Sequence, residues 1–410
     1  MEITDFSKVM DMESDKASLE DLMAILSHYV HNHDKNINKL QREKVISIIQ
    51  DYIQNIKETS DNFCNTDIVE LSEPSEQYNI FQQFFNVPFP TPKQPKFTFI
   101  DLFAGIGGFR IAMQNIGGEC VFSSEWDKLA QKTYFNNFGD YPFGDITKES
   151  TKKFVPNNFD VLCAGFPCQA FSIAGYRKGF EDTRGTLFFD VAEIIKSKKP
   201  KVVFLENVKN LYTHDNGNTF KVIKTTLEDL GYHVFHRIMS PAEYANIPQN
   251  RERIFIVCFN KESVPNYEDF TFPDKVALNK TIHDCIDNSV CDKKYIYTEK
   301  MSHYAELLEN IISKDSIYQW RRRYVRENKS GLCPTLTANM GTGGHNVPLI
   351  LTDYGIRKLT PKECLNFQGF PAEYRFPKSN AMSANYKQAG NSVAVPLIEK
   401  VCKEIWKILK

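Results

Sequence analysis

Cys168, between a proline and a glutamine in "GFPCQAFS", is placed by its neighbours to do chemistry. It follows the apolar run "FDVLCAGF" (159–166), so it stands where a β-strand ends. A thiol near a helix start or a positive group has a lowered pKa and becomes a nucleophile. Core filler, disulfide and metal ligand are the competing uses. The ten cysteines are scattered, with no C-x-x-C and no Cys/His pair at zinc-finger spacing. A structural zinc is therefore not expected, no metal is assigned, and the thiols should be reduced. Cys163, in the middle of the same run, is expected to be buried and inert.

Other reactive types fall at similar places. Glu206 ends the apolar run "PKVVFLENV", where a carboxyl would serve as an acid or hydrogen-bond partner; an ordinary strand-end acid fits the same position. Arg251 and Arg253 alternate in "QNRERI", a spacing that puts both on one strand face, suited to a phosphate or carboxylate or to a salt-bridged strand end. "DLFAGIGGFR" carries Gly105, Gly107 and Gly108 after a strand, and Glu125 lies twenty positions after Gly105, at the end of the next strand. That pattern suits an adenosine-bearing ligand, with the acid on ribose hydroxyls. A nicotinamide fingerprint wants a third glycine where Arg110 stands. A cofactor without phosphates, S-adenosylmethionine, suits the turn better; a purely structural turn fits it equally. Asn391, in "QAGNSVAVP", reads as a turn before the last helix, in its N-cap region. His214 and His345 have no companions and receive no role.

The elements that must position these residues alternate from Lys96 onward. "FTFIDLF", "CVFSSEWD", "FDVLCAGF", "PKVVFLENV" and "RERIFIVCFN" read as strands, with "GTLFFDVAEIIKSKK" a helix between two of them. Strands at such intervals imply right-handed crossovers and a doubly wound, mainly parallel α/β sheet. The division expected is a helical N-terminal extension and linker at 1–95, a catalytic domain at 96–277, a smaller irregular domain at 278–378, and a C-terminal return at 379–410. The linker is "NVPFPTPKQPK", with four prolines in eleven residues. Before it, "SLEDLMAILSHYV" (18–30) and "LQREKVISIIQDYIQNI" (40–56) read as amphipathic helices. The chain ends in the amphipathic helix "AVPLIEKVCKEIWKILK".

Net charge is −1, from 50 basic and 51 acidic residues, so the whole-molecule field does not announce a nucleic-acid binder. "QWRRRYVRENK" (319–329) nevertheless gathers Arg321, Arg322, Arg323 and Arg326 among aromatics. No apolar run is long enough for a membrane span, and the acidic start is no secretory signal. The cytoplasm is the expected location.

In order along the chain, "DLFAGIGGFR", "SSEWD", "GDI", "GFPCQAFS", "ENV", "QNRERIFIV" and "YKQAGNSVAVP" resemble the bacterial cytosine-5 DNA methyltransferases of the restriction–modification type (type II). The resemblance covers roughly 96–277 and 355–410. It implies the fold of S-adenosylmethionine-dependent methyltransferases, Rossmann-like, and S-adenosylhomocysteine as product. It implies that Cys168 attacks C6 of a flipped-out cytosine, that Glu206 bonds N3 and the 4-amino group, and that Arg253, supported by Arg251, lies near the base and phosphate. By the same resemblance Phe103, Gly105, Gly107, Glu125, Trp126, Asp145, Ile146, Pro167, Asn391 and Ser392 should line the cofactor site, and 167–186 should close as a lid. Gln169, Ser172, Arg321, Arg322, Arg323, Arg326, Thr335, Thr337 and Asn339 should meet DNA, Thr335 supporting the flipped nucleotide's phosphate. The segment 318–348 is similar to recognition regions for GGNCC or GGWCC sites. Implied partners are double-stranded DNA and, functionally rather than physically, a cognate restriction endonuclease; a monomer is the implied working form. Competing readings are a tRNA cytosine-5 methyltransferase and an inactive DNA-binding relative.

Overall fold

The computed structural model describes Ala24, Ser27 and residues 87–167, 187–301, 303–321, 323–342 and 346–410. Strands β1 (Phe97–Leu102), β2 (Gly118–Ser124), β3 (Val161–Ala164), β4 (Val202–Val208), β5 (Tyr232–Met239) and β6 (Arg253–Asn260) form one sheet, in the order β2-β1-β3-β4-β6-β5. The four strands from β2 to β4 run parallel, and β6 is antiparallel to both of its neighbours. β5 is missing from the sequence reading. It edges the sheet, and its half-exposed pattern carries His233, His236 and Arg237, which break the apolar run that marks a buried strand.

Successive side chains of a strand point to opposite faces, and two cores follow from that. Phe99, Cys163, Phe204 and Val257 belong to one, while Ile100, Leu162, Val203 and Ile256 belong to the other. The first face is covered by helices α1 (Gly108–Asn115) and α8 (Val395–Leu409), which pack on each other. Trp406 of α8 stacks on Phe97 with ring centroids 5.1 Å apart, so the end of the chain closes the core opened by its first strand. Helices α3 (Leu187–Lys198) and α4 (Asn218–Asp229) supply Val191, Ile195, Ile223 and Leu227 to the opposite face. Between these lie α2 (Lys128–Phe138), α5 (Tyr304–Asn310), α6 (Pro361–Phe367) and α7 (Met382–Asn391).

The loop-rich composition of 278–378 conceals a four-stranded antiparallel sheet. It is built from β7 (Ile317–Trp320), β8 (Val325–Asn328), β9 (Leu349–Thr352) and β10 (Gly355–Lys358), ordered β10-β9-β7-β8. One buried ion pair ties it to the rest. Arg357 of β10 donates through both terminal nitrogens to Glu363 of α6, at 2.8 and 2.6 Å, and to the Asp287 carbonyl. Glu363 also accepts the Thr360 and Asp287 N–H groups, so its oxygens are fully used. No helix among the described residues is long and apolar enough to cross a membrane.

Candidate functional site

The carboxyl ends of β1 to β4 converge on one edge, where a parallel sheet leaves a crevice for ligands. After β1 the chain turns through Phe103 and Gly105, both in the left-handed region at φ 56° and 55°. A non-glycine residue there is strained by about 1–3 kcal/mol, and such strain gathers at functional sites. The three glycines differ in use. A Cβ on Gly105 would meet nothing within 4 Å, whereas one on Gly107 would overlap the Phe138 ring. One on Gly108 would come within 2.6 Å of Val393 and 3.2 Å of the Ser392 hydroxyl. Gly107 and Gly108 thus let protein pack against protein, and Gly105 alone faces open space.

Glu125 holds this turn to the end of β2. Its carboxylate accepts the Gly105 N–H at 2.8 Å and the Asp127 N–H at 2.8 Å. Burial pushes the carboxyl up, against the lowering effect of those two backbone bonds. A carboxylate offers about four acceptor positions, so lone pairs remain for a ligand hydroxyl. Trp126 beside it is 70% exposed, an unusual state for so large an apolar ring. The next segment joins through Phe143, which bridges Ser124 and accepts the Glu125 N–H at 2.8 Å. That connection brings in Asp145, half-buried and bonded by Thr147, and buried Ile146.

Around β3 and β4, Cys163 is wholly buried, and burial pushes its thiol well up, as an inert residue requires. Pro167 is exposed. Cys168, Gln169, Ser172 and Arg322, and residues 168–186 of the expected lid, lie outside the described residues. Asn207 donates to the Phe166 carbonyl at 2.8 Å, clasping the end of β4 to the chain just before Pro167. Glu206 is buried two residues before the end of β4, and its Oε1 lies 3.1 Å from Arg253 Nε. A Cβ on Gly165 would sit 3.8 Å from its Oε2, so that oxygen faces the turn after β3.

The expectation that Arg251 and Arg253 work as one face is revised by their partners. β6 begins at Arg253, and Arg251 lies before it. Arg251 is buried and donates to the carbonyls of Leu336 (2.7 Å), Gly390 (3.3 Å) and Ser392 (2.5 Å). Desolvation and neighbouring Arg253 pull its pKa down, partly offset by Glu206. It fastens two remote stretches of chain beside Glu206.

One of those stretches holds Thr335, whose hydroxyl donates to the Asn250 carbonyl at 2.5 Å, with Thr337 and Asn339 exposed beyond it. The other holds Ser392, buried, and Asn391, exposed. Asn391 is the last residue of α7 rather than an N-cap, because α8 is capped from Ala394. Arg321, Arg323 and Arg326 stand apart, exposed on the β7–β8 hairpin.

Three contributors escaped the sequence reading. Gln249 donates to the Phe367 carbonyl at 2.5 Å and to Gln368 at 3.2 Å, and Gln368 donates on to the Ala389 carbonyl at 3.1 Å. Arg110 is wholly buried, paired with Asp140 and lying 4.8 Å from the Phe138 ring centroid. It locks α1 to α2 at the position where a nicotinamide fingerprint has glycine. The signal available for all three was a polar side chain amid an apolar pattern, which does not name its partner.

The family model for C-5 cytosine-specific DNA methylase matches residues 97–407. The type II methyltransferase M.Bsp6I of Bacillus sp. (strain RFL6) is 53% identical over 310 residues, covering 75% of this chain and 97% of that protein. M.HpaII of Haemophilus parainfluenzae is 48% identical over 357 residues, covering 82% and 95%. Among solved structures, the S. pombe Dnmt2 methyltransferase superposes with a TM-score of 0.59 at 20% identity, covering 77% of this chain and all of that one, a likeness of fold.

Proposed function

Because the chain belongs to the C-5 cytosine-specific DNA methylases and is a DNA cytosine-5-methyltransferase, we propose that it methylates C5 of a cytosine flipped out of duplex DNA. In this reading S-adenosylmethionine is the donor and Cys168 the nucleophile. The observation that carries it is the Glu206–Arg253 pair at the carboxyl end of β4. Arg253 engages Oε1 and leaves Oε2 turned toward Gly165, three residues before Cys168.

C5 of cytosine is a poor nucleophile until a group adds at C6. The Cys168 thiolate adds there, and C5 gains enamine character. Glu206 bonds N3 and the 4-amino group, favouring the added form, while Arg253 holds the carboxylate in place. Once C5 carries the methyl group, loss of its proton to a base breaks the C6–S bond, restores the aromatic ring and returns the thiolate. A base inside a duplex exposes neither face of C6, hence the flipping.

The residues fit the donor. Gly105 leaves open space, Glu125 keeps unused lone pairs, and Trp126 offers an exposed ring. Glu125 and Trp126 would hold the adenosine with Asp145 and Ile146; Phe103, Gly107, Pro167, Asn391 and Ser392 would complete the wall. When bound, the cofactor supplies an electrophilic methyl group.

Residues 96–277 are proposed as the catalytic part, 278–378 as the recognition part, with Thr335, Thr337, Asn339 and the exposed hairpin arginines on DNA, and 379–410 as the return. The target proposed is of the GGNCC or GGWCC type, supported by the likeness of 318–348. A monomer acting in the cytoplasm beside a cognate endonuclease completes the reading, supported by the type II names of the relatives.

The test is incubation with labelled S-adenosylmethionine and duplex DNA, followed by mapping of the modified bases. Label at C5 of cytosine in one duplex sequence is expected, and Cys168→Ser should abolish it. Label confined to RNA or to adenine would overturn the function, and Cys168→Ser working at the wild-type rate would remove the nucleophile.

A further inference from the structure

The strip that carries Thr337 and Asn339 meets α7 at two glycines, one from each side. A Cβ on Gly341, in the 3-10 turn Ala338–Thr342, would lie 2.6 Å from the Ser383 carbonyl oxygen and 2.9 Å from Lys387 Cβ. Nearer the end of the helix, a Cβ on Gly390 would overlap the Thr337 carbonyl. Strip and helix therefore approach at backbone distance twice, and packing so close passes a displacement of one to the other.

The same helix is fastened to α2. Lys387 Nζ donates to Asp127 Oδ2 at 2.7 Å, and the buried Thr133 hydroxyl donates to Gln388 Oε1 at 2.8 Å. Asp127 is the N-cap of α2, accepting the Leu129 and Ala130 N–H groups at 3.0 and 3.2 Å. Its own N–H donates to Glu125 Oε1 at 2.8 Å, on the carboxylate whose other oxygen holds the Gly105 N–H. Burial would push the Asp127 carboxyl up, but Lys387 and the α2 N–H groups hold it below the usual range, so the pair is ionic at neutral pH. Lys387 thus touches two regions at once: its Cβ lies against Gly341 and its ammonium ends on Asp127.

We infer that Lys387 is a positioning residue that links the strip at 337–341 to the cofactor site: seated against Gly341, it holds Asp127, and through Asp127 the Glu125 carboxylate. This rests on the proposed roles of Glu125 in cofactor binding and of Thr337 and Asn339 on DNA. A duplex that engages the strip steadies Lys387 and so tightens the cofactor. By linkage, the cofactor tightens the duplex by the same factor.

The test uses the full chain and S-adenosylhomocysteine, which binds without turnover. Calorimetry measures its Kd alone and with a duplex carrying the mapped target sequence, and thermal unfolding checks the fold. Lys387→Met keeps most of the stem and removes the charge. Loss of a partly exposed ion pair predicts a rise in Kd of roughly threefold to fivefold without DNA. The tightening by duplex, present in wild type, should disappear, and Lys387→Arg should keep both properties. In steady state, KM for S-adenosylmethionine should rise in Lys387→Met while kcat at saturating cofactor holds. Asp127→Asn still caps α2 but loses the ion pair, so it should show the same loss and add nothing when combined with Lys387→Met. It decides the matter if Lys387→Met does not fold. Unchanged cofactor affinity in the folded variants, or an undiminished effect of duplex in them, overturns the inference. A wild-type protein whose cofactor affinity ignores duplex overturns it too, as does Lys387→Arg falling as far as Lys387→Met. Two further variants separate the layers. Wild-type cofactor affinity in Glu125→Ala, or wild-type duplex affinity in Thr337→Ala with Asn339→Ala, means that the reading beneath has failed. If both of these weaken binding and Lys387→Met does not, only the link has failed.

Discussion

Asp101 lies in β1 with no exposed surface, and neither carboxyl oxygen has a hydrogen-bond partner among the described residues. Its surroundings are Arg110, which already serves Asp140, together with Glu125, Cys120, Cys163 and Tyr134. Burial pushes the carboxyl from 3.8 up to about 8, with Arg110 pulling it down and Glu125 pushing it up. The native state therefore keeps a proton that the unfolded chain releases. Its stabilising effect is fully present below pH 3.8 and is lost progressively as pH rises to about 8. At about 1.4 kcal/mol per pH unit, the span from 3.8 to about 8 amounts to roughly 6 kcal/mol. Asp101→Asn keeps the shape and a neutral polar group, so it removes the slope without opening a cavity. Urea unfolding of both proteins at pH 5, 6, 7 and 8 isolates the effect, because every other titrating group is shared. The variant should gain on wild type by about 1.4 kcal/mol per pH unit between pH 5 and 7 and by less toward pH 8. Parallel stability curves across that range would refute the claim that Asp101 is buried, protonated and unpartnered.

Arg251→Lys keeps a positive charge but loses the planar fork, leaving at least one of the Leu336, Gly390 and Ser392 carbonyls unmet. A loss of about 2–4 kcal/mol in urea unfolding is expected, and a loss under about 1 would show that water replaces those bonds. Glu363→Gln strips the charge from a partner of buried Arg357 and should cost roughly 3–5 kcal/mol. Arg357→Met with Glu363→Leu should recover much of it, and calorimetric unfolding of the single and double variants decides.

How legible all this was depends on whether a signal was local. β1, β3, β4 and β6 are buried on both faces and read as apolar runs, which composition exposes directly. β5 at the edge is interrupted by His233, His236 and Arg237, and β7 to β10 are four residues each, too short to stand out from loops. Glu125 and Glu206 were legible by position, since one follows β2 directly and the other lies two residues before the end of β4. Arg251 was not, because its partners lie 85, 139 and 141 residues away and are backbone carbonyls, which any sequence supplies.

That guanidinium also explains how one site is assembled from remote stretches of chain. Thr335 is tied to Asn250 and Leu336 to Arg251, so the strip proposed to meet DNA is anchored directly before β6. Gly390 and Ser392, on the side proposed for the cofactor, share the same guanidinium. A Cβ on Gly390 would overlap the Thr337 carbonyl, so the two strips are in van der Waals contact as well as jointly bonded. Arg253, two residues on, holds Glu206. Any displacement of 335–337 would therefore be felt at Ser392 and at the base of β6, since packed interiors transmit strain. The shortest route from recognition strip to proposed catalytic carboxylate is Leu336 to Arg251 to Arg253 to Glu206. It runs through a hydrogen bond, two residues of extended backbone and an ion pair rather than through the small sheet, so the residues proposed for DNA contact and for catalysis are joined at the start of β6.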